Sequence, residues 1–545
     1  MKVQASQLNL TIADIEGNTQ KILAALARAK KNEVDVVLFS ELTITGYQPD
    51  DLLLDLSLVD AAEKKLREIA PATKGLFVAI GLPRRNPRKR EKPLCNSAAI
   101  FIDGELIGFK DKILLPTYDI FDERRFFEPG KESTVFEYLG RRIGIVICED
   151  AWQHAGEVGY SDYQRDPIEE YANLGVDLLL NLSASPYYFK RENIRLGVFS
   201  KCAKSLRCPI VYCNQVGGND QIVFDGQSFY MNEKGELIQI AKGFVEDDLV
   251  AELSLHVCSC AKPKSGVEDL YTALVTGVRD YFHKQGFTKA ILGLSGGIDS
   301  ALVACIAKDA LGRENIKAVA LPSRFSSESS TRDAELLSKN LGISFEVISI
   351  DEMYQHYLDL LGPHFVNQKP DITEENLQPR IRAMILMAFS NKFSALLLTT
   401  GNKSEMSMGY TTLYGDMAGA LGVLQDVSKT YVYELADYVN ANQEIIPKSI
   451  IEKEPSAELR HNHKTLDSLP PFEILDPILE DYIEGHLSAQ EIAHQRGQPV
   501  EFVQEIIRKV HAAEFKRRQA PIGIRVTRKA FSKGRSVPIV QKWVK

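Results

Sequence analysis

The sequence lacks the features of a membrane protein, a secreted protein or a nucleic-acid-binding protein. It has no run of about 18 apolar residues, the length that a helix needs to cross a bilayer. Residues 1–5 lead directly into a strand-like pattern and lack the apolar core of a signal peptide. The net charge of -8 gives no overall attraction to nucleic acid or to acidic membranes. We therefore expect a protein that binds neither.

Paired cysteines are also missing. None of the eight cysteines belongs to a Cys-x-x-Cys pair, so the sequence predicts no zinc site. Cys258 and Cys260 stand too close together for an ordinary zinc half-site. Scattered free thiols are typical of a reducing compartment, so we expect a cytoplasmic protein.

The composition that remains is that of a globular protein. Apolar residues make up 44% of the chain and charged residues 25%. A chain of 545 residues is too long for a single hydrophobic core, which predicts two or three domains.

A glycine loop follows a short apolar run in the second half of the chain. Residues 290–294 predict a buried strand, Ser-Gly-Gly-Ile-Asp-Ser occupies positions 295–300, and a helical pattern continues to residue 311. Glycines let backbone N–H groups approach an oxyanion, and the helix dipole favours negative charge at its N-terminus. The loop is not a Walker A motif, because no Gly-Lys-Ser/Thr ends it. It resembles the pyrophosphate loop of the N-type ATP pyrophosphatases, which split ATP between its α and β phosphates.

In the first half of the chain, three polar residues directly follow predicted strands. Glu41 follows the strand at 36–39, Lys112 the strand at 106–109, and Cys148 the strand at 143–147. Folds of the α/β class place their chemistry at such strand ends. A cysteine nucleophile needs a base and a stabilising cation, which a carboxylate and an ammonium supply. Taken singly, each residue also fits an ordinary role in packing or as a solvated charge.

Taken together, the three residues resemble the Glu-Lys-Cys triad of the nitrilase superfamily. The supporting strings are Phe-Ser-Glu-Leu at 39–42, Lys-Asp-Lys-Ile at 110–113, and Ile-Cys-Glu-Asp at 147–150. The string at 121–127 matches as well, and the resemblance makes Glu123 a second, orienting glutamate. It implies an αββα sandwich over residues 1–258 that hydrolyses amides or nitriles through a cysteine thioester. By the same resemblance, Tyr118, Ser185 and Arg191 hold glutamine, with Lys190 as an alternative to Arg191.

The pattern breaks at residues 259–266, which read as a linker, and a second domain is predicted over 267–545. Short buried strands alternate with helices there, which predicts a doubly wound parallel sheet of the Rossmann-like, adenine nucleotide α-hydrolase type. Thr400 to Glu405 follow one of these strands, so Asp299 and Glu405 are expected to approach the same phosphates. Two carboxylates beside a polyphosphate imply Mg²⁺ between them.

Further strings extend the resemblance over residues 260–535. Tyr-Gly-Asp-Met at 414–417, Val-Ser-Lys-Thr at 427–430, Glu-Pro-Ser-Ala-Glu at 454–458 and Phe-Lys-Arg-Arg at 515–518 resemble NAD⁺ synthetases. With the amidase-like half, the chain resembles the glutamine-dependent NAD⁺ synthetase family. That family converts deamido-NAD⁺, ATP and glutamine into NAD⁺, AMP, pyrophosphate and glutamate.

The resemblance also implies the binding residues of the second domain and a homo-oligomer that dimerises through this domain. Glu405 is expected to serve both the metal and deamido-NAD⁺, and Arg382 and Asp416 are neighbours with less defined roles. The implied ATP-binding residues are Gly293, Leu294, Ser295, Gly296, Gly297, Ile298, Asp299, Ser300, Thr400 and Lys429; those for deamido-NAD⁺ are Asn376, Arg382, Glu405, Asp416 and Lys516; those for Mg²⁺ are Asp299 and Glu405.

Three alternatives follow from individual features. Other ATP pyrophosphatase amidotransferases, such as asparagine or GMP synthetase, share the loop but pair it with different glutaminase domains. A non-catalytic nucleotide sensor would share both domains, although an intact Glu41, Lys112 and Cys148 argue against it. The basic stretch at residues 84–92 lacks the interleaved aromatic residues of a nucleic-acid site, so a solvated hairpin tip is favoured.

Overall fold

The computed structural model describes residues 1–88, 91–157, 163–253, 266–461 and 464–543. The chain divides into two compact units, Met1–Ser265 and Gly266–Lys545. Most of the predicted linker at 259–266, including Cys260, lies outside the described residues, as does Cys258. Within the described ranges, no helix is both long enough and apolar enough to span a bilayer.

The described residues of the first unit form fourteen strands and four α-helices. The strands are β1 (Lys2–Gln7), β2 (Val36–Leu38), β3 (Phe77–Arg85), β4 (Leu94–Ile102), β5 (Glu105–Asp111), β6 (Val135–Tyr138), β7 (Arg141–Ile147), β8 (Leu178–Ser183), β9 (Ile210–Asn214), β10 (Val216–Asn219), β11 (Ile222–Asp225), β12 (Phe229–Met231), β13 (Leu237–Ile240) and β14 (Asp247–Glu252). The helices are α1 (Ile15–Lys31), α2 (Leu56–Ile69), α3 (Pro167–Leu174) and α4 (Arg191–Leu206).

These elements form four layers. One six-stranded sheet has the order β14-β1-β2-β3-β4-β5, and the other has the order β13-β12-β9-β8-β7-β6. Side chains such as Val36, Ile145 and Leu180 fill the space between the sheets. Residues of α1 and α2 pack on the outer face of the first sheet, and residues of α3 and α4 on the outer face of the second. The strands are apolar on both faces for this reason, and the predicted αββα sandwich is confirmed.

In the part of the second unit that the structure describes, there are six strands and twelve α-helices. The strands are β15 (Ala290–Gly293), β16 (Ile316–Ala320), β17 (Ser344–Val347), β18 (Leu396–Thr399), β19 (Leu421–Gly422) and β20 (Ile522–Gly523). The helices are α5 (Val267–Lys284), α6 (Ile298–Leu311), α7 (Glu328–Leu341), α8 (Asp351–Leu361), α9 (Ile372–Phe393), α10 (Lys403–Met408), α11 (Lys429–Asn440), α12 (Lys448–Glu452), α13 (Phe472–Ile483), α14 (Ala489–Arg496), α15 (Val500–Ala512) and α16 (Glu514–Arg517).

The strands of the second unit form one sheet, in which every strand pair is parallel. The strand order is β17-β16-β15-β18-β19-β20. The strand order reverses between β15 and β18, so the connections after these two strands leave toward opposite faces of the sheet. A crevice opens at such a switch point, outside the carboxyl ends of the strands, and ligands bind there in doubly wound folds. The predicted doubly wound sheet is confirmed, and the glycine loop and residues 400–405 lie at its switch point.

The basic stretch near the tip of the β3–β4 hairpin is largely neutralised by neighbouring acids. Arg84 pairs with Asp111 at 2.9 Å, and Arg85 pairs with Asp60 at 2.7 Å. Arg88 pairs with Glu91 at 2.9 Å. Lys89 and Arg90 lie outside the described residues. Paired cations offer little free charge to a phosphate backbone, in agreement with the predicted hairpin tip.

Candidate active sites

Cys148 lies at the carboxyl end of β7, at the start of a short 3₁₀ turn, Cys148–Ala151. Its φ angle is +45°, in the left-handed region that non-glycine residues seldom adopt. Such backbone conformations persist only where the surrounding structure enforces them, and they cluster at functional sites. The sharp turn directs Cys148 away from the run of β7 and into the buried acid–base cluster described next.

Glu41, Lys112 and Glu123 form a buried network beside this cysteine. Lys112 Nζ lies 2.6 Å from Glu41 Oε1 and 2.8 Å from Glu123 Oε1. Asn96 Nδ2 donates to Glu41 Oε1 at 2.7 Å, and the Tyr47 hydroxyl donates to Glu123 Oε1 at 2.9 Å. Each carboxylate is therefore held by one cation and by at least one neutral donor, which fixes its orientation.

Burial governs the ionisation of this cluster. Burial alone would lower the pKa of Lys112, but the charges of Glu123 and Glu41 outweigh it and raise that pKa well above its ordinary value. Burial raises the pKa of Glu123 to about 7, although Lys112 opposes the shift. Burial and the charge of Glu41 raise the pKa of the Cys148 thiol, again against Lys112. The thiol is therefore neutral at rest, so it needs a base to remove its proton.

A carboxylate and a guanidinium, those of Glu149 and Arg191, also lie near Cys148. Glu149 accepts hydrogen bonds from the Tyr118 hydroxyl at 2.9 Å and from the Tyr163 hydroxyl at 3.1 Å. Burial raises the pKa of Glu149 to about 7. Arg191 lies between the rings of Trp152 and Tyr188, with its guanidinium carbon 4.7 and 4.8 Å from their centroids. The site thus offers one carboxylate and one guanidinium, which is the complement of an α-amino acid.

Arg191 and Lys190 differ clearly in the structure. Arg191 Nε donates to Ser185 Oγ at 3.2 Å, so these two predicted residues are brought together. Lys190 is exposed, and its ammonium lies 4.9 Å from the centre of the Phe189 ring. Asn214 fixes Ser185 by accepting from its backbone N–H at 2.8 Å.

In the second unit, the glycine loop joins β15 to α6 as predicted. Gly296 has a φ of +80°, and a Cβ there would lie 2.2 Å from the carbonyl oxygen of Ser330. The position therefore requires glycine. Ser300 Oγ accepts from the backbone N–H of Ser295 at 3.2 Å, which closes the loop over the first turn of α6. Backbone N–H groups at this helix start are suited to an anion.

Asp299 and Glu405 lie in the first turns of two helices, α6 and α10, and are close enough for their charges to interact. Lys429 Nζ contacts Asp299 Oδ2 directly, and Asn402 Nδ2 donates to Asp299 Oδ1 at 2.9 Å. Glu405 belongs to the capping box of α10, in which its carboxylate accepts from the Asn402 backbone N–H at 3.3 Å. Burial and the charge of Asp299 raise the pKa of Glu405 to about 8, which indicates a surplus of negative charge.

These residues line one cavity of about 840 Å³ at the switch point. Its walls include almost every residue that the sequence predicted for this half of the chain; Gly296 is absent because it faces Ser330. The predicted residues that line the cavity are Gly293, Leu294, Ser295, Gly297, Ile298, Asp299, Ser300, Asn376, Arg382, Thr400, Glu405, Asp416, Lys429 and Lys516.

Residues 409–412 organise one end of this cavity, although no motif or periodic pattern in the sequence predicted a role for them. Lys516 Nζ donates to the carbonyl oxygens of Gly409 at 2.8 Å and Thr411 at 2.7 Å. Thr412 donates its hydroxyl to Asn376 Oδ1 at 2.7 Å and its backbone N–H to Asp416 Oδ1 at 2.6 Å. Glu149, Asn96 and Asn214 were likewise not singled out in the first unit, although Glu149 directly follows the cysteine.

The architecture defines a class of protein: a nitrilase-type amidase unit joined to a nucleotide-binding unit of the ATP pyrophosphatase type. The carbon-nitrogen hydrolase family model matches residues 2–262, and the NAD synthase family model matches residues 270–520.

Similar proteins extend over the full chain. The glutamine-dependent NAD(+) synthetase of Synechocystis sp. is 44% identical over 99% of this chain and 98% of its own length. That of Thermotoga maritima is 40% identical over 100% of this chain and 99% of its own. The solved structure of the Acinetobacter baumannii enzyme with ADP has a TM-score of 0.78 at 39% identity and covers 99% of both chains. The chain belongs to the glutamine-dependent NAD(+) synthetase family.

Proposed function

We propose that this chain makes NAD⁺ from deamido-NAD⁺ and ATP, as an amide ligase with glutamine as nitrogen donor. The proposal rests on the observation that one chain contains two candidate active sites. The first unit has a buried Glu41–Lys112 pair beside Cys148, and the second unit has a nucleotide-sized cavity at its switch point. Each set on its own supports only half of the reaction.

In the first unit, Cys148 is the nucleophile. Glu41 accepts the thiol proton as Sγ attacks the carboxamide carbon, and Lys112 stabilises the oxyanion that forms. Collapse of this intermediate breaks the C–N bond, the proton passes to the leaving nitrogen, and ammonia departs from a glutamyl thioester. Glu41 then takes a proton from water, which hydrolyses the thioester to glutamate. Glu123 keeps Lys112 charged and oriented between two carboxylates.

Glutamine is recognised by two opposite charges. Arg191 pairs with the α-carboxylate because its planar guanidinium matches a carboxylate geometrically, and Ser185 assists it. Glu149 receives the α-ammonium group, with Tyr118 and Tyr163 orienting its carboxylate. Lys190 is not favoured for this role, because it is exposed and lies over Phe189.

In the second unit, the nicotinate carboxylate of deamido-NAD⁺ attacks the α-phosphorus of ATP and displaces pyrophosphate. The loop at 293–300, Thr400 and Lys429 bind ATP, while Asn376, Glu405, Asp416 and Lys516 bind deamido-NAD⁺. Arg382 lines the same cavity and donates through Nε to the Leu321 carbonyl at 2.9 Å, so it supplies positive charge near both substrates. Ammonia then attacks the acyl adenylate, and AMP leaves.

Asp299 and Glu405 fit a role as Mg²⁺ ligands. Their adjoining negative charges are what a divalent cation offsets, and Mg²⁺ characteristically binds one or two carboxylates together with substrate phosphates. When bound, Mg²⁺ neutralises polyphosphate charge. Lys429 adds a second positive charge at the same carboxylate.

The second unit also carries a surface suited to self-association. Met353 and Leu360 on α8 are 51% and 67% exposed, and Met384 on α9 is 71% exposed. The two helices α8 and α9 pack together, and exposed apolar side chains on such helices are common at protein interfaces. We expect a homodimer through this surface, and sedimentation of the parent and of a Met384→Lys, Leu360→Lys variant tests it.

A cytoplasmic location fits the six described free thiols.

One assay tests the main proposal. Purified protein is incubated with deamido-NAD⁺ and ATP, with either glutamine or ammonium salt, and NAD⁺ is measured. Both nitrogen sources should support synthesis, with one AMP and one pyrophosphate formed for each NAD⁺. Product formation from aspartate or xanthosine monophosphate instead of deamido-NAD⁺ would assign the chain to another amidotransferase. Nucleotide binding without turnover would identify a sensor.

A further inference from the structure

Asp150 bridges the two main-chain segments that carry Lys112 and Cys148. Its side chain is fully buried. Oδ1 accepts the backbone N–H groups of Ile113 at 2.9 Å and Leu114 at 2.8 Å, directly after Lys112. Oδ2 accepts the backbone N–H of Ile147 at 3.1 Å, directly before Cys148. One carboxylate therefore holds both catalytic strand ends.

No strand pairing supplies this connection. Lys112 follows β5, the edge strand of the first sheet, whereas Cys148 follows β7 in the second sheet. Glu41 and Glu123 hold the Lys112 ammonium, whereas Asp150 ties the backbone after Lys112 to the backbone before Cys148. Hydrogen bonds to an ionised acceptor are shorter and stronger than neutral ones, so a buried carboxylate is a stiff bridge.

Local strain makes the bridge more important. Cys148 has a φ of +45°, and the N–H that Asp150 binds belongs to the preceding residue. A strained residue stays in place only if neighbouring contacts over-determine it. Lys110, also buried, provides a countercharge to Asp150 without a direct hydrogen bond and donates instead to the Asp111 carbonyl at 2.6 Å.

We propose that Asp150 is a positioning residue for glutamine hydrolysis, which sets the separation and orientation of Cys148 relative to Lys112. It does not touch the reacting atoms. The inference rests on the roles proposed above for Cys148 and Lys112. It predicts that loss of one hydrogen bond at Asp150 slows the chemical step more than it weakens glutamine binding, since the Asp150 carboxylate binds the backbone N–H groups of Ile113, Leu114 and Ile147 and not the side chains proposed to hold glutamine.

The Asp150→Asn variant tests this inference. Asparagine keeps the shape but has only one acceptor oxygen, so its amide N–H₂ group faces a backbone N–H. The kcat of glutamine hydrolysis should fall by about ten- to a hundredfold, the effect of a small misplacement of reacting groups. The KM for glutamine should change less than about threefold. NAD⁺ synthesis from ammonia should be retained.

The rate of Cys148 alkylation separates positioning from a general structural effect. At each pH in the neutral range, iodoacetamide should alkylate Cys148 more slowly in Asp150→Asn than in the parent, because a changed separation between Lys112 and Cys148 stabilises the developing thiolate less. The matched control is Asp177→Asn, which removes an acceptor from the other end of β7, where Asp177 Oδ2 binds the Arg142 N–H at 2.8 Å. The control should match the parent in both measurements.

Folding of the variant is monitored by the number of thiols that react without denaturant, since all six described cysteines are buried. If Asp150→Asn exposes them, Asp150→Ser is measured in its place. Unfolding in both variants, or equal loss in kcat and KM with an unchanged alkylation profile, would make Asp150 purely structural. Normal glutamine hydrolysis in Asp150→Asn overturns the inference alone. Normal hydrolysis in Cys148→Ala overturns the proposed function itself.

Discussion

The ammonium of Lys112 lies 2.6 Å from the carboxylate of Glu41, and neither side chain is exposed to solvent. A second carboxylate, Glu123, lies 2.8 Å from the same nitrogen. One buried cation thus compensates two buried anions, and the cluster depends on it for stability as well as for chemistry.

The Lys112→Met variant should be strongly destabilised, because it leaves two buried carboxylates without a cation. Breaking a buried ion pair by removing one partner costs about 3 to 5 kcal/mol in the free energy of unfolding. Urea denaturation of the parent and the variant measures this. Lys65→Met is the control, since Lys65 pairs with Glu16 and Glu68 at the surface and should change the free energy by less than about 1 kcal/mol. Equal changes in the free energy of unfolding of the two variants would show that burial of the carboxylates does not increase the cost of losing their cation.

The Cys148→Ala variant should separate the two half-reactions. Without a thiolate no thioester forms, so glutamine cannot release its nitrogen. NAD⁺ synthesis from glutamine should be lost almost completely, while synthesis from ammonium salt at a pH that supplies some free ammonia should remain. Cys95→Ala, which removes another buried thiol from the same unit, should use glutamine normally. Loss of the ammonia-driven reaction in a folded Cys148→Ala protein would contradict the assignment of the two half-reactions to separate units.

Glutamine binding should depend on pH through Glu149. Burial raises the pKa of Glu149 to about 7. Above that pH the carboxylate is charged and attracts the α-ammonium, and below it the group is neutral, so the KM for glutamine should rise as the pH falls through about 7. In Glu149→Gln the KM should be high and independent of this titration. The surface variant Glu169→Gln is the control and should show the same dependence of KM on pH as the parent. If Glu149→Gln also shows the parent dependence, the titrating group is not Glu149.

The Asp299→Asn variant should abolish NAD⁺ synthesis with either nitrogen source. A carboxylate that holds a cation against pyrophosphate is needed whichever source supplies ammonia. Hydrolysis of glutamine to glutamate, measured on the same sample, should continue at least at a basal rate. Exchange of labelled pyrophosphate into ATP reports adenylation directly. Near-parental NAD⁺ formation would mean that the glycine loop does not bind the reacting phosphates.

The Lys516→Ala variant should weaken the use of deamido-NAD⁺ far more than the use of ATP. Loss of one charged contact corresponds to about 1.5 to 3 kcal/mol, or roughly ten- to a hundredfold in kcat/KM. Removal of its bonds to Gly409 and Thr411 also loosens the segment that positions Asn376 and Asp416. Lys509→Ala, at an exposed position on α15, is the control. A change in the kinetic parameters for ATP alone would contradict the assignment of Lys516 to deamido-NAD⁺ binding.

Both folds, and the polar residues at the ends of their strands, could be predicted from the amino-acid sequence. Short apolar runs are local features, and a polar residue that ends a buried strand is visible without any long-range contact. Glu41, Lys112 and Cys148 in the first half, and Thr400 in the second, follow predicted strands in this way, whereas Asp299 was predicted from the glycine loop. The loop itself was also predicted from the sequence, but the close approach of Gly296 to Ser330 is visible only in the structure.

The contacts between these residues could not be predicted from local sequence patterns. The Lys112–Glu41 and Lys516–Gly409 contacts join positions 71 and 107 residues apart, and no local pattern encodes such pairings. The choice of Arg191 over Lys190 depends on which side chain turns toward Ser185. The role of Asp150 depends on two sheets that pack face to face. Periodicity and propensity report the environment of one segment, whereas these contacts arise from the packing of several segments at once.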